Sequence, residues 1–138
     1  MTDQAGPAVL RPAAITPRER GGGARTTPLV NARVGSQRTL SGITEFEPGA
    51  AIALHFHNCE ETVMVLQGAA VAEIDGVEYA VNETDTTWIP AGVPHRFRNA
   101  SLTERMRIYW TYASIDADRT IVATGVTTRI DAEHGVAP

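Results

Sequence analysis

The sequence predicts an all-β protein of the sandwich or barrel type. Three observations carry that expectation. From Arg38 onward, short β-rich runs follow one another closely, most of them bounded by Gly, Pro, Asn or Asp turn signals. Asp75-Gly76 joins two of these runs, and both residues tolerate the positive φ that a tight hairpin turn requires. No stretch shows a helical hydrophobic period with caps. The length, 138 residues, fits one domain able to bury a real core.

Taken in order, residues 1–30 read as a flexible N-terminal arm, 31–130 as the folded domain and 131–138 as a C-terminal tail. Pro7, Pro12, Pro17, Pro28 and Gly21-Gly22-Gly23 punctuate the arm, and such composition opposes regular structure. A loosely draped tail is the first reading. The second is an arm laid over its own barrel or a partner's, gating a pocket. Arg11, Arg18, Arg20 and Arg25 make it basic, but no aromatic residues interleave as a nucleic-acid arm would require.

Strands are expected at Arg38–Glu47, Ala51–His57, Glu61–Gln67, Ala69–Asp75, Val77–Val81, Thr86–Ile89, His95–Asn99 and Arg105–Ala113. Ile121–Thr127 is a candidate edge strand, as is the strand near Arg38. Pro48-Gly49 and Gly68 mark turns. The expected core comprises Ile52, Leu54, Val63, Val65, Val71, Ile74, Trp88, Ile89, Phe97 and Ile108.

The chemistry gathers between Gly49 and Gly68. Alternate side chains of a strand share a face, so His55 and His57 point the same way. Glu61 opens the next strand after a short connection and can face both imidazoles across the hairpin. Two histidines and a carboxylate suit iron, manganese, zinc, nickel or copper. Further on, Pro90-Ala91-Gly92-Val93-Pro94 is a stiff turn that places His95 accurately.

These residues carry a specific resemblance. The pattern G-x5-H-x-H-x3-E-x6-G falls on Gly49, His55, His57, Glu61 and Gly68. The pattern G-x5-P-x-G-x2-H-x3-N falls on Pro90, Gly92, His95 and Asn99, with Thr84 where the pattern has Gly. Over roughly residues 38–114 the chain resembles a single-domain cupin. The resemblance implies a double-stranded β-helix, or jelly-roll barrel, with the N-terminal arm extending from it. It implies one divalent transition metal held by His55, His57, Glu61 and His95, with iron or manganese favoured over zinc, nickel and copper. It also implies a small-molecule substrate and a homodimer paired through outer strands. Similar cupins include dioxygenases, oxalate decarboxylases and oxidases, lyases, isomerases and cyclases, while others only bind ligands.

The expected function is therefore a metal-dependent enzyme, oxygenase or lyase/isomerase, acting on a small carboxylate, enol or diketone. Glu61 is the candidate catalytic carboxylate, as ligand or base. The alternative is a non-catalytic domain that binds or senses a metal or small ligand; a structural metal is a third reading, disfavoured because closed zinc sites prefer cysteine. Trp110 and Tyr112 share one face of their strand and are candidate pocket walls, though core packing alone also explains them. Cys59 lines the pocket if the strand of His55 and His57 runs on, and is otherwise an inert small apolar residue.

Other classes are disfavoured. Net charge is −4, so no global case for nucleic acid exists. No apolar run approaches membrane-spanning length, and none near Met1 forms a signal-peptide core. A single cysteine excludes an internal disulfide and suits a cytoplasmic location. All 12 basic residues are arginine, which excludes Schiff-base chemistry through lysine.

Overall fold

The computed structural model describes residues 6–133, with Glu133 by its backbone alone. The described strands are β1 (Arg18–Gly21), β2 (Ala24–Pro28), β3 (Leu40–Phe46), β4 (His55–Phe56), β5 (Glu61–Gln67), β6 (Ala70–Ile74), β7 (Val77–Val81), β8 (Thr86–Ile89), β9 (His95–Asn99), β10 (Met106–Tyr112), β11 (Asp118–Ile121) and β12 (Thr127–Arg129). A single helical turn, Ile130–Glu133, follows β12. They form two antiparallel six-stranded sheets, ordered β1-β2-β3-β10-β5-β8 and β12-β11-β4-β9-β6-β7. Several neighbours in each sheet, such as β3 with β10 and β4 with β9, come from distant parts of the chain, as in the jelly-roll arrangement expected.

Period-2 patterning explains how the sheets face one another. In β10, Met106, Ile108, Trp110 and Tyr112 are buried while the residues between them are half-buried. β10 pairs with β3 on one side and β5 on the other, so its inward face lies beside Leu40, Phe46, Val63 and Val65 on the core side of the same sheet. Phe97 and Ala72 contribute from the second sheet. The Asp75-Gly76 turn forms as expected, with φ of 52° and 81° at its two residues.

The structure corrects several expectations. The arm is not a loose tail between residues 18 and 28: β1 and β2 form a hairpin that extends the first sheet. Ala24 and Thr26 of β2 are fully buried. Gly21, Gly22 and Gly23 carry φ of 82°, 64° and 86°, so the glycines read as opposing regular structure instead make the hairpin turn. Residues 1–5 and 134–138, including His134, lie outside the described residues.

The strands near Arg38 and Ile121 are interior, because β2 covers β3 and β12 covers β11. The run Ala51–His57 is strand only at His55–Phe56, with a single bridge at Ala51. Ile121–Thr127 is a turn between β11 and β12. Trp88 is 60% exposed, because it alternates with the buried Ile89, and its Nε1 donates to Glu60. Val71 is half-buried for the same reason, with Ala70 and Ala72 taking the inward positions. Ile52 and Ile74 pack against the core only in part.

Asn99 is buried and ties three segments: its Nδ2 donates to the carbonyls of Phe46, Glu47 and Glu104, and its Oδ1 accepts from Ser101 N–H. Thr84 has φ of 71°, in the left-handed region that a β-branched residue rarely adopts. It is held there because its N–H donates to Val65 O at 2.8 Å and the next N–H donates to Asn82 O at 3.0 Å. Glycine at this position would relieve the strain. We expect Thr84→Gly to stabilise the fold by about 1 kcal/mol, raising Tm by about 3 °C, and Thr84→Val to give no gain. Thermal unfolding followed by circular dichroism checks both; a lower Tm for the glycine variant would contradict the strain argument.

Candidate metal centre

Four side chains converge inside the barrel, from both sheets. His55 lies on β4 and stands opposite His95 of β9 in the strand register. His57 follows β4 directly, and Glu61 is the first residue of β5 in the other sheet. All four are buried. The ring centroids of the three histidines are 4.5 to 5.0 Å apart, and their ligand atoms lie within 4.8 Å of one another. Glu61 Oε1 is 2.9 Å from His95 Nε2 and 3.3 Å from His57 Nε2.

Backbone carbonyls orient every imidazole. Nδ1 of His55 meets Ala53 O at 2.7 Å, Nδ1 of His57 meets Asp118 O at 2.7 Å, and Nδ1 of His95 meets Val93 O at 2.9 Å. A carbonyl only accepts, so each Nδ1 carries the hydrogen and donates it. In the neutral ring Nε2 is then a lone pair. The stiff turn before His95 is itself anchored, with Gly92 N–H donating to His57 O at 2.8 Å.

This arrangement fits a cation. The Nε2 lone pairs of His57 and His95 face an anionic oxygen, and such acceptors repel unless a positive charge lies among them. A proton meets that need in part, and a metal ion meets it for the whole set. Donors at right angles on an ion bonded at about 2.1 Å stand about 3 Å apart, close to the two Glu61 contacts. Burial works against ionisation of Glu61, yet hydrogen bonds and positive charge from His57 and His95, when these rings carry a second proton, outweigh it and pull the carboxyl down to about 2. Burial, followed by the charges of His95 and His57, lowers His55 to about 3. At neutral pH the cluster therefore offers an ionised carboxylate and a neutral His55.

Trp110 and Tyr112 line a small cavity of about 20 Å³ beside His55, Glu61 and His95. The Tyr112 ring lies 4.6 Å from that of His57. Cys59 lines neither this cavity nor the larger cleft outside it. The strand ends at Phe56, so the alternation that would have turned Cys59 inward is lost. The thiol packs half-buried against the core, and burial raises its pKa, keeping it protonated.

The larger cleft, about 610 Å³, opens above His55 and is lined by Arg18, Arg20 and Arg119 among others. None of these was singled out from sequence as a site residue. The alternation R-E-R, three glycines, then A-R-T-T-P is a hairpin signal that could have placed Arg20. Nothing local marks Arg119.

Both pKa shifts bear on acid stability with the same sign. Between about 3 and 6.5 the unfolded chain binds a proton at His55 that the folded chain refuses, so stability falls as pH drops through that window. Glu61 adds to the loss between 4.5 and about 2. We expect the Tm of chelator-treated protein to fall steadily below pH 6.5, and His55→Gln to flatten the upper part of that slope. A Tm independent of pH between 7 and 4 would show that His55 is not held neutral.

Known proteins resemble this chain in sequence and in fold. The chain is 30% identical over 108 residues to Polyketide synthase CurC of Streptomyces cyaneus, covering 78% of this chain and 70% of that protein. It is 31% identical over 96 residues to Protein SchB of Streptomyces halstedii, covering 69% and 70%. Among solved structures, the polyketide cyclase RemF from Streptomyces resistomycificus superposes with a TM-score of 0.74 at 19% identity, over 85% of this chain and 86% of that one. The Cupin domain family model matches residues 42–112, a span that begins in β3, ends with Tyr112 and encloses all four converging side chains. The chain belongs to the cupin domain family.

Proposed function

We propose that this protein is a metal-dependent enzyme acting on a small substrate rich in ketone, enol or carboxylate oxygens. The observation that carries the reading is the buried set of three imidazoles and one ionised carboxylate, converging at the foot of a cleft large enough for an organic molecule. His55, His57, His95 and Glu61 would hold one divalent transition ion, iron or manganese before zinc, nickel or copper. When bound, such an ion supplies Lewis acidity toward a carbonyl or enolate oxygen.

The chain's own residues divide the remaining work. The inner cavity has room for about one water-sized group, so a reacting oxygen enters it while the body of the substrate stays in the outer cleft. Trp110 and Tyr112 wall that cavity and exclude water. Glu61, ionised and beside the reacting oxygen, serves as ligand or as a base for an acidic C–H between two carbonyls. The names of two relatives, a polyketide synthase and a polyketide cyclase, favour carbon–carbon ring closure of a polyketone chain over oxygen insertion.

The test combines metal analysis with turnover. We expect the isolated protein to carry about one equivalent of a divalent transition ion. His55→Ala, His57→Ala and His95→Ala should each lose about 100-fold or more in metal affinity, since a direct ligand is worth at least as much as its supporting partners. Glu61→Gln should keep measurable metal and change turnover. Diketones, enols, carboxylates and poly-β-ketone mimics would be screened with and without air. Turnover that persists without oxygen supports ring closure or lyase chemistry, and oxygen uptake supports the oxygenase reading instead. A wild-type protein without metal, or a Glu61→Gln variant matching wild type in both measurements, would overturn the ligand assignment.

A further inference from the structure

The outer cleft and the inner cavity meet at a neck. Four residues line both spaces: Arg20, Ile52, His55 and Arg119. Two of the four are arginines, and they come from opposite sheets. Arg20 lies on β1, the strand built by the N-terminal hairpin. Arg119 lies on β11, directly after Asp118, whose carbonyl orients His57. Arg119 is 8% exposed, a rare degree of burial for a guanidinium.

The placement of Arg20 is built rather than incidental. Its Nη1 donates to Thr26 Oγ1 at 3.2 Å, Thr26 Oγ1 meets Thr44 Oγ1 at 3.1 Å, and Thr44 Oγ1 accepts from Trp110 Nε1 at 2.8 Å. This chain of hydrogen bonds runs from the edge strand into the barrel and ends at the wall of the inner cavity. It turns Arg20 toward the cleft.

Arginines gather around the neck although the whole chain carries −4. Arg18, Arg20 and Arg119 line the cleft. Among the described residues Glu19 is the one carboxylate lining the cleft, and Arg25 engages it at 3.2 Å. Guanidinium groups bind carboxylates and enolates through paired N–H donors, and do so most strongly where water is scarce.

We propose that Arg20 and Arg119 form a two-sided clamp for an oxyanion of the substrate, either a carboxylate or an ionised enol or phenol. The clamp would hold the anionic group at the neck and direct an adjacent oxygen into the inner cavity. Arg20 and Arg119 are then positioning residues that select acidic, polyoxygenated molecules over neutral ones. This inference rests on the proposed function only in taking the histidine cluster as the reacting end.

The probe is 1-hydroxy-2-naphthoate, compared with its methyl ester, titrated calorimetrically into the full-length protein as isolated and after chelation. The clamp requires wild type to bind the acid at least about tenfold more tightly than the ester. Arg20→Gln and Arg119→Lys should each weaken acid binding about 10- to 100-fold and leave ester binding nearly unchanged. Arg96→Gln removes the same charge from the outer face, where Arg96 pairs with Glu73, and should change neither. Arg20 is half-buried on an edge strand, so its variant should fold even if a change at buried Arg119 does not. Equal affinity of wild type for acid and ester, or full acid binding by Arg20→Gln, would overturn the clamp. Metal content measured on the same samples keeps the two readings apart. Loss of the clamp with metal and turnover intact leaves the proposed function standing. Clamp-dependent binding in a wild-type protein that takes up no metal would sink the enzyme reading alone.

Discussion

A carboxylate and three imidazoles cannot share a water-excluded space unless positive charge lies among their lone pairs. Much of this barrel is arranged around that constraint. Each imidazole has committed its Nδ1 hydrogen to a backbone carbonyl, which fixes the ring and leaves Nε2 facing inward. Those carbonyls lie just before β4 and β9 and on the first residue of β11, so the sheet order of the second sheet and the orientation of the rings are one requirement. Glu61 reaches the same point from β5 in the first sheet. The site therefore exists only where the two sheets close on each other. Burial makes the arrangement costly in the absence of a cation, since a carboxylate removed from water is stabilised only by close opposite charge and hydrogen bonds.

The polar residues elsewhere are sorted by face. On the outer face of the first sheet, Arg25 and Arg105 both bind Glu45 and Glu47, and Arg25 also binds Glu19. Such exposed pairs contribute little to stability individually. One of them bears on the cleft: Arg25 engages Glu19, which lines it. The inward side of the same hairpin presents Arg20, oriented through Thr26 and Thr44. One short hairpin thus extends the sheet, covers the β3 edge and supplies a cation to the cleft. That accounts for Gly21-Gly22-Gly23, where three consecutive positive φ values turn the chain back within a few residues.

Much of this was legible in the chain itself, because it depends on short-range spacing. A period of two put His55 and His57 on one side, Asp75-Gly76 specified a hairpin, and the rigid turn before His95 fixed where that ring begins. The alternation in β10 marked Trp110 and Tyr112 as inward-facing, and they do line the inner cavity. The failures were also local. Trp88 is large and apolar but sits one residue out of phase with Ile89, and phase decides which side of a strand a residue faces. Cys59 was judged by continuing a strand that stops at Phe56. The N-terminal arm was judged by composition, although glycine and proline punctuate hairpins as readily as they disrupt them.

By itself the sequence determined the fold class and the shared face of His55 and His57, which follow from periods and turns within a few residues; that Glu61 and His95 join them was implied by the cupin resemblance. Tertiary structure alone decided what stands around them. Arg20 and Arg119 are far apart in the chain, and no local pattern links either to His55; the pairing of β1 with β2 and of β11 with β4 brings them to one neck. Strand pairing across long chain separations depends on the energy of the whole assembled core, so it leaves no mark in any short stretch of residues.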